Sequence, residues 1–251
     1  MPADRARSEV TVRLCAVSAH PVRPEQPAPP GPRRGPVTRG RGDEGAAPDR
    51  RTEVVWAVAL LLVTAIGGLC FAHGSAPSWL DTMVPAALTS GRHSVLTDVT
   101  WLRYPQVVVA GSVVLAVVAF PRDRMRSLVC LVGPPLALAT TELAIKPAVG
   151  RTLGAGFSYP SGSTVGAAAL GVAAVLAAPA AWRSRTVVVA SLYGLWMAVA
   201  VVSLQWHYPT DAAAGLAYGC GVMLLLDAAA MTTAEVLTRH GFGRRHAPGR
   251  G

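Results

Sequence analysis

The chain has 251 residues, of which 51% are hydrophobic and only 15% charged, with a mean hydropathy of +0.39. That composition excludes whole-chain disorder and argues for a membrane protein. Yet the formal net charge is +9, from 23 basic and 14 acidic residues, so those charges must lie outside the lipid.

Residues 1–52 hold nine of the 20 prolines and ten of the arginines, with no sustained apolar period. Ala28-Pro29-Pro30-Gly31-Pro32-Arg33-Arg34-Gly35-Pro36 can be neither helix nor sheet. The segment reads as a disordered cytoplasmic tail. It is not a signal peptide, because no apolar core follows its early arginines at the usual distance. Four cysteines (Cys15, Cys70, Cys130, Cys220), the last three inside apolar runs, exclude a disulfide framework. The basic residues are scattered rather than clustered with aromatics on a folded module, which argues against nucleic acid.

From Val54 the chain becomes a series of apolar runs: Val54–Ala72, Tyr104–Phe120, Ser127–Ile145, Thr164–Trp182, Thr186–Trp206 and Asp211–Met231. The first is free of charge and long enough to cross a bilayer. The second is short. The third contains Pro134-Pro135 and ends near Glu142. The fourth is rich in Ala and Gly, and the sixth opens on Asp211 and carries Asp227 near its far end. The expected fold class is therefore all-α, a polytopic six-transmembrane helix bundle over residues 53–232. A disordered N-terminal tail over 1–52 and a basic cytoplasmic tail over 233–251 flank it.

Nineteen of the 23 basic residues fall in the N-terminal tail, after spans two and four, and after span six. Only Arg92, Arg103, Lys146 and Arg151 fall on the other side. The positive-inside rule then places both termini in the cytoplasm of a cell membrane, with the loops after spans one, three and five outside. Small residues in spans four and six, among them Gly162, Gly171, Gly215 and Gly219, allow close helix packing.

Two outward loops carry chemistry. In the loop after span three, Lys146 is the only lysine of the chain, and Arg151 follows five residues on. Ser161-Gly162-Ser163 then opens span four. A helix start offers unpaired amides and the positive end of the helix dipole, which suit an anion, and glycine permits close backbone approach. Together these residues form a candidate phosphate cradle. Each has a plain alternative: Lys146 as a lysine snorkelling to headgroups, Ser161 as an N-cap, Pro160 and Gly162 as turn punctuation. Glu142 lies four residues before Lys146, where the two can pair on one helix face. In the loop after span five, Trp206-His207-Tyr208-Pro209-Thr210-Asp211 sets a carboxylate near a histidine. Such a carboxylate can fix the imidazole tautomer and raise its basicity.

In this order and over six spans, Lys-x-x-x-Gly-Arg, Tyr-Pro-Ser-Gly and Trp-His-Tyr-Pro-Thr-Asp-(x)3-Gly resemble the type-2 phosphatidic acid phosphatase superfamily. That superfamily includes lipid phosphate phosphatases, undecaprenyl-diphosphate phosphatases and soluble haloperoxidases. The resemblance covers residues 54–231. It implies a mechanism without metal or cofactor, in which His207 attacks phosphorus to form a phosphohistidine and Asp211 orients it. Lys146, Ser161 and Gly162 would hold the phosphate, with Arg151 and Ser163 beside them. The sequence departs from the family pattern in three places. Leu153-Gly154 stand where the first motif ends in Arg-Pro, and Arg151, two residues early, is the expected substitute. Ser163 replaces the histidine that serves as general acid for the leaving group. Ala200-Val201 replace Ser-Arg ahead of the nucleophile. His93, in the first outward loop, is a candidate for the missing acid.

The expected function is an integral-membrane phosphatase acting on lipid phosphates or polyprenyl phosphates or diphosphates at the extracytoplasmic face. Its partners would be the membrane and the lipid phosphate, with no nucleic acid. Ser163 and Val201 equally suit a non-catalytic relative that binds a phosphate headgroup without turnover. A six-span transporter would rest on intramembrane Glu142 and Asp227 alone.

Overall fold

The computed structural model describes residues 50–83, 101 and 104–239. The expected tail thus lies outside the described residues up to position 49, as do His93, Arg92 and Arg103. Its last three residues are helical: α1 runs Arg50–Phe71, because the Arg50 guanidinium pairs with Glu235 of the final helix (2.7 Å).

After α1 come a single turn α2 (Trp79–Thr82), α3 (Pro105–Ala119) and α4 (Arg124–Thr140). A π-turn over Thr141–Ile145 carries α4 into a last turn, α5 (Lys146–Val149). Pro147 has no N–H to give the helical ladder, and the widened turn lies just before it. A two-residue hairpin, β1 (Thr152–Leu153) with β2 (Gly156–Phe157), precedes α6 (Gly162–Ala177), α7 (Arg183–Ser203) and α8 (Pro209–Arg239). Asp123 caps α4 by accepting from the amides of Met125 and Arg126.

Four helical stretches are long and apolar enough to cross a membrane: Arg50–Phe71, Arg124–Val149, Ala180–Ser203 and Pro209–Thr238. The other two expected spans, α3 and α6, are apolar helices of 15 and 16 residues. At 1.5 Å per residue these reach roughly 23 Å, against about 30 Å of hydrocarbon. The outer face of the bundle is apolar: Val55 and Val63 of α1 are 65% and 62% exposed, Leu69 79%, and Val189 of α7 65%. A contiguous surface of that kind is untenable in water and is what lipid contact requires.

α6 is the central element, with α3, α4, α7 and α8 packed around it. Its buried face is made of Gly166, Ala167, Ala168, Ala169, Gly171 and Ala173. α8 lies close against it because Gly215 and Gly219 present no side chain there. A Cβ on Gly219 would stand 2.6 Å from the Val165 carbonyl, and one on Gly215 would overlap Thr164 Oγ1. Arg50, Arg126 and Arg183 gather around a cavity at one end of the bundle, with the buried Asp227. Lys146, Gly162, Ser163 and His207 gather at the other.

Candidate functional site

The loop that carries His207 is held by a buried ionic brace. Arg151 is 1% exposed, and its guanidinium lies between the rings of Phe71 and Tyr208, 4.2 and 4.4 Å from their centroids. Nη1 donates to Asp211 Oδ1 (2.6 Å) and Thr210 Oγ1 (2.7 Å), and Nη2 donates to Asp81 Oδ2 (2.8 Å). The forked donor geometry of arginine suits two carboxylates at once.

Asp81, on α2, completes the brace. Its Oδ2 accepts from the Ser78 amide and hydroxyl, in a capping box, while its Oδ1 accepts from the Thr210 amide (3.0 Å) and hydroxyl (2.8 Å). Burial alone would raise this carboxyl. Hydrogen bonds from the Thr210 amide, from Ser78 and from Arg151 outweigh it and hold the group at about 2. The first outward loop, the loop before α6 and the start of α8 are thereby tied together. Tyr159 adds a further tie, donating to the Thr64 carbonyl of α1 (2.7 Å), and burial pushes its hydroxyl up, so that it stays a donor.

His207 is fixed through its backbone and its ring. The His207 and Trp206 amides both donate to the Val201 carbonyl. Ring Nδ1 lies 2.9 Å from the Ser158 carbonyl and 4.0 Å from Asp211 Oδ2. A carbonyl oxygen only accepts, so in the neutral ring Nδ1 carries the proton and the lone pair sits on Nε2. Asp211, the residue expected to orient the ring, is thus the more distant of these two groups from Nδ1. Ser158 makes the hydrogen bond, while Asp211, fully buried and bound to Arg151 and the Tyr208 amide (3.0 Å), contributes charge behind it.

His207 lines a cavity of about 310 Å³ together with Tyr104, Pro105, Leu138, Glu142, Lys146, Gly162 and Ser163. Among the described residues, Lys146 is the only lysine or arginine that lines it. Its Nζ is held by both oxygens of Glu142, at 2.8 and 2.9 Å. The Glu142 carboxylate reaches the first residue of α6, for a Cβ on Gly162 would overlap Glu142 Oε1. Ser161, the N-cap of α6, is fully buried, and its hydroxyl has no hydrogen-bond partner among the described residues. Its amide donates to the Asp211 carbonyl (3.0 Å), which docks the start of α6 on the first turn of α8.

Of the seven residues expected from sequence, the structure brings Lys146, Gly162, Ser163 and His207 to one cavity and sets Ser161 beside it. It does not bring Arg151 or Asp211 there. Both face each other in the brace behind His207. No basic side chain comes from the third motif either: Val201 is fully buried in an apolar cluster with Ala167, Met197 and Ala212. Sequence reasoning missed Asp81 and the Ser158 carbonyl. Ser78-x-x-Asp81 is legible as a capping box, but nothing local pairs it with an arginine 70 residues on.

A helical bundle with an apolar outer face, and a cavity at a helix N-terminus lined by a lysine and a histidine, defines a membrane protein with an anion-suited site. The sequence profile of the PAP2 superfamily matches residues 56–232, and the chain belongs to that superfamily, the type-2 phosphatidic acid phosphatases that its motifs resemble. Members are generally phosphatases, and a membrane-embedded member acts on lipid phosphate. No curated protein and no solved structure matches the chain.

Proposed function

We propose that the protein hydrolyses a lipid phosphate, or a polyprenyl phosphate or diphosphate, at the extracytoplasmic face of the cell membrane, through a phosphohistidine on His207. The observation that carries this reading is the convergence of His207, Lys146, Gly162 and Ser163 on one cavity at the start of α6, beside a buried Ser161 hydroxyl that has no partner among the described residues. An anion there would meet the amides of the first turn of α6, the Lys146 ammonium and the serine hydroxyls. Nε2 of His207, with Nδ1 held by the Ser158 carbonyl, supplies the electron pair that forms the N–P bond. Arg151 acts from behind, neutralising Asp211 and Asp81 so that the loop bearing His207 keeps its shape. Water then attacks the phosphohistidine and releases inorganic phosphate. The outward placement follows from charge, since the arginines of the α3–α4 and α6–α7 connections lie at the opposite end of the bundle.

The test is phosphate release from lipid phosphates by the full chain in detergent micelles. His207→Ala should abolish it. Turnover equal to wild type in that variant would overturn the assignment. The buried, apolar surroundings of Val201 favour a second reading, binding without turnover. Tight lipid-phosphate binding with no release across a broad lipid panel would select it.

A further inference from the structure

Cleaving a P–O bond to an alkyl group leaves an alkoxide, and a positioned acid that protonates it contributes about 10²–10⁴ in rate. In this cavity Ser163 cannot serve, and His207 is committed to phosphorus. Lys146 is engaged as the phosphate's counter-ion. Among the described residues the remaining titratable side chains that line the cavity are Glu142 and Tyr104; His93 lies outside the described residues. Glu142 is the one set against the anion position. Its Oε1 lies over Gly162 at the first turn of the 16-residue helix α6, and both its oxygens hold Lys146. The carboxylate thus lies at the mouth of α6 and holds the one cation that a phosphate there would take.

Resting on the phosphohistidine reading above, we propose that Glu142 is the proton donor to the leaving group. An entering phosphate carries up to two charges and replaces the carboxylate as the partner of Lys146, at the first turn of α6. A phosphate monoester monoanion brings one proton with it, and in the proposed step Glu142 takes that proton from the phosphate oxygen. In the transfer step the Nε2 lone pair of His207 forms the N–P bond. The P–O bond breaks with its electron pair going to the leaving oxygen, and that oxygen takes the Glu142 proton. The products are a neutral lipid alcohol and phosphohistidine. Glu142 is again a carboxylate, able to hold Lys146 when phosphate has left. Glu142 is the second residue of the π-turn over Thr141–Ile145, and Lys146 follows its end.

The experiment compares kcat/KM, which reports steps up to phosphoryl transfer, for an alkyl lipid phosphate and for p-nitrophenyl phosphate, whose phenolate leaves without a proton. The full chain is used in micelles as wild type, Glu142→Gln, Glu142→Asp, Tyr104→Phe and His207→Ala. Glu142→Gln should lose about 10²–10⁴ on the alkyl substrate and less than about 10-fold on the aryl one. Glu142→Asp, which keeps a carboxyl, should recover part of the alkyl loss, and it decides the matter if the glutamine variant does not fold. Equal losses on both substrates, with His207→Ala inactive, would mark Glu142 as a structural partner of Lys146 and overturn its role alone. Selective alkyl loss in Tyr104→Phe instead would move the role to the phenol. Turnover in His207→Ala, or an inactive wild type, would overturn the phosphohistidine reading itself.

Discussion

Replacing Arg151 by methionine tests the brace directly. Methionine keeps much of the volume between Phe71 and Tyr208 but removes the guanidinium that serves Asp81, Asp211 and Thr210. The two carboxylates it pairs are 1% and 0% exposed, so neither can turn to water. Breaking a buried ion pair by removing one partner costs about 3–5 kcal/mol, because an uncompensated charge stays behind. Here one substitution uncovers two, and the upper end of that range is expected at neutral pH. The cost should shrink as pH falls, since protonated carboxyls need no counter-charge. The assay is thermal unfolding of purified protein in detergent at pH 7 and pH 4, beside lipid-phosphate binding at a temperature where the variant is folded. A loss below about 1 kcal/mol at pH 7 would refute the reasoning, since a broken buried pair costs several times that. So would unchanged stability with lost phosphate binding, which would make Arg151 a ligand rather than a brace.

Asp81 should give the wild type an acid limb of its own. Its carboxyl is held at about 2 from an ordinary 3.8, so its stabilisation is complete above pH 3.8 and is lost as pH falls through about 2. The amount is no more than about 2.5 kcal/mol, and Asp81→Asn should flatten the stability curve across that window. A parallel curve would contradict it. Gly215→Ala would place a methyl on Thr164 Oγ1 and the Ser161 carbonyl, where α8 crosses the start of α6. Overpacking of this kind costs about 1–3 kcal/mol, and here it should also lower turnover by displacing Ser161. Gly156→Ala in the hairpin, where a Cβ meets nothing within 4 Å, is the matched control and should be neutral in both measurements.

Much of the fold is legible in the chain because apolar length and charge placement are local quantities. The runs beginning near Val54, Ser127, Thr186 and Asp211 are helices that meet the length of a bilayer. The short or weakly apolar runs at Tyr104 and Thr164 become the two short helices. The i, i+4 spacing of Glu142 and Lys146 gives the ion pair it suggests. The N-terminal edge of α1 was not legible, because Arg50 is drawn into the helix by Glu235, 185 residues away.

By itself the sequence determined the family, the membrane character, and the loops from which the site is built. Motif spacing and hydropathy survive without coordinates. Only the tertiary structure decided what each charged residue does there. Arg151 and Lys146 look alike as loop cations. One is enclosed by two carboxylates and two aromatic rings, and the other opens onto the cavity. Asp211 and Glu142 look alike as helix-end carboxylates. One is sealed behind His207 by Arg151, and the other lies across the first turn of α6. The physical reason is that a charge takes its role from its counter-charge and its access to solvent. In this protein both are set by residues 60 to 70 positions away for Arg151, and by the packing of α4 against α6 for Glu142.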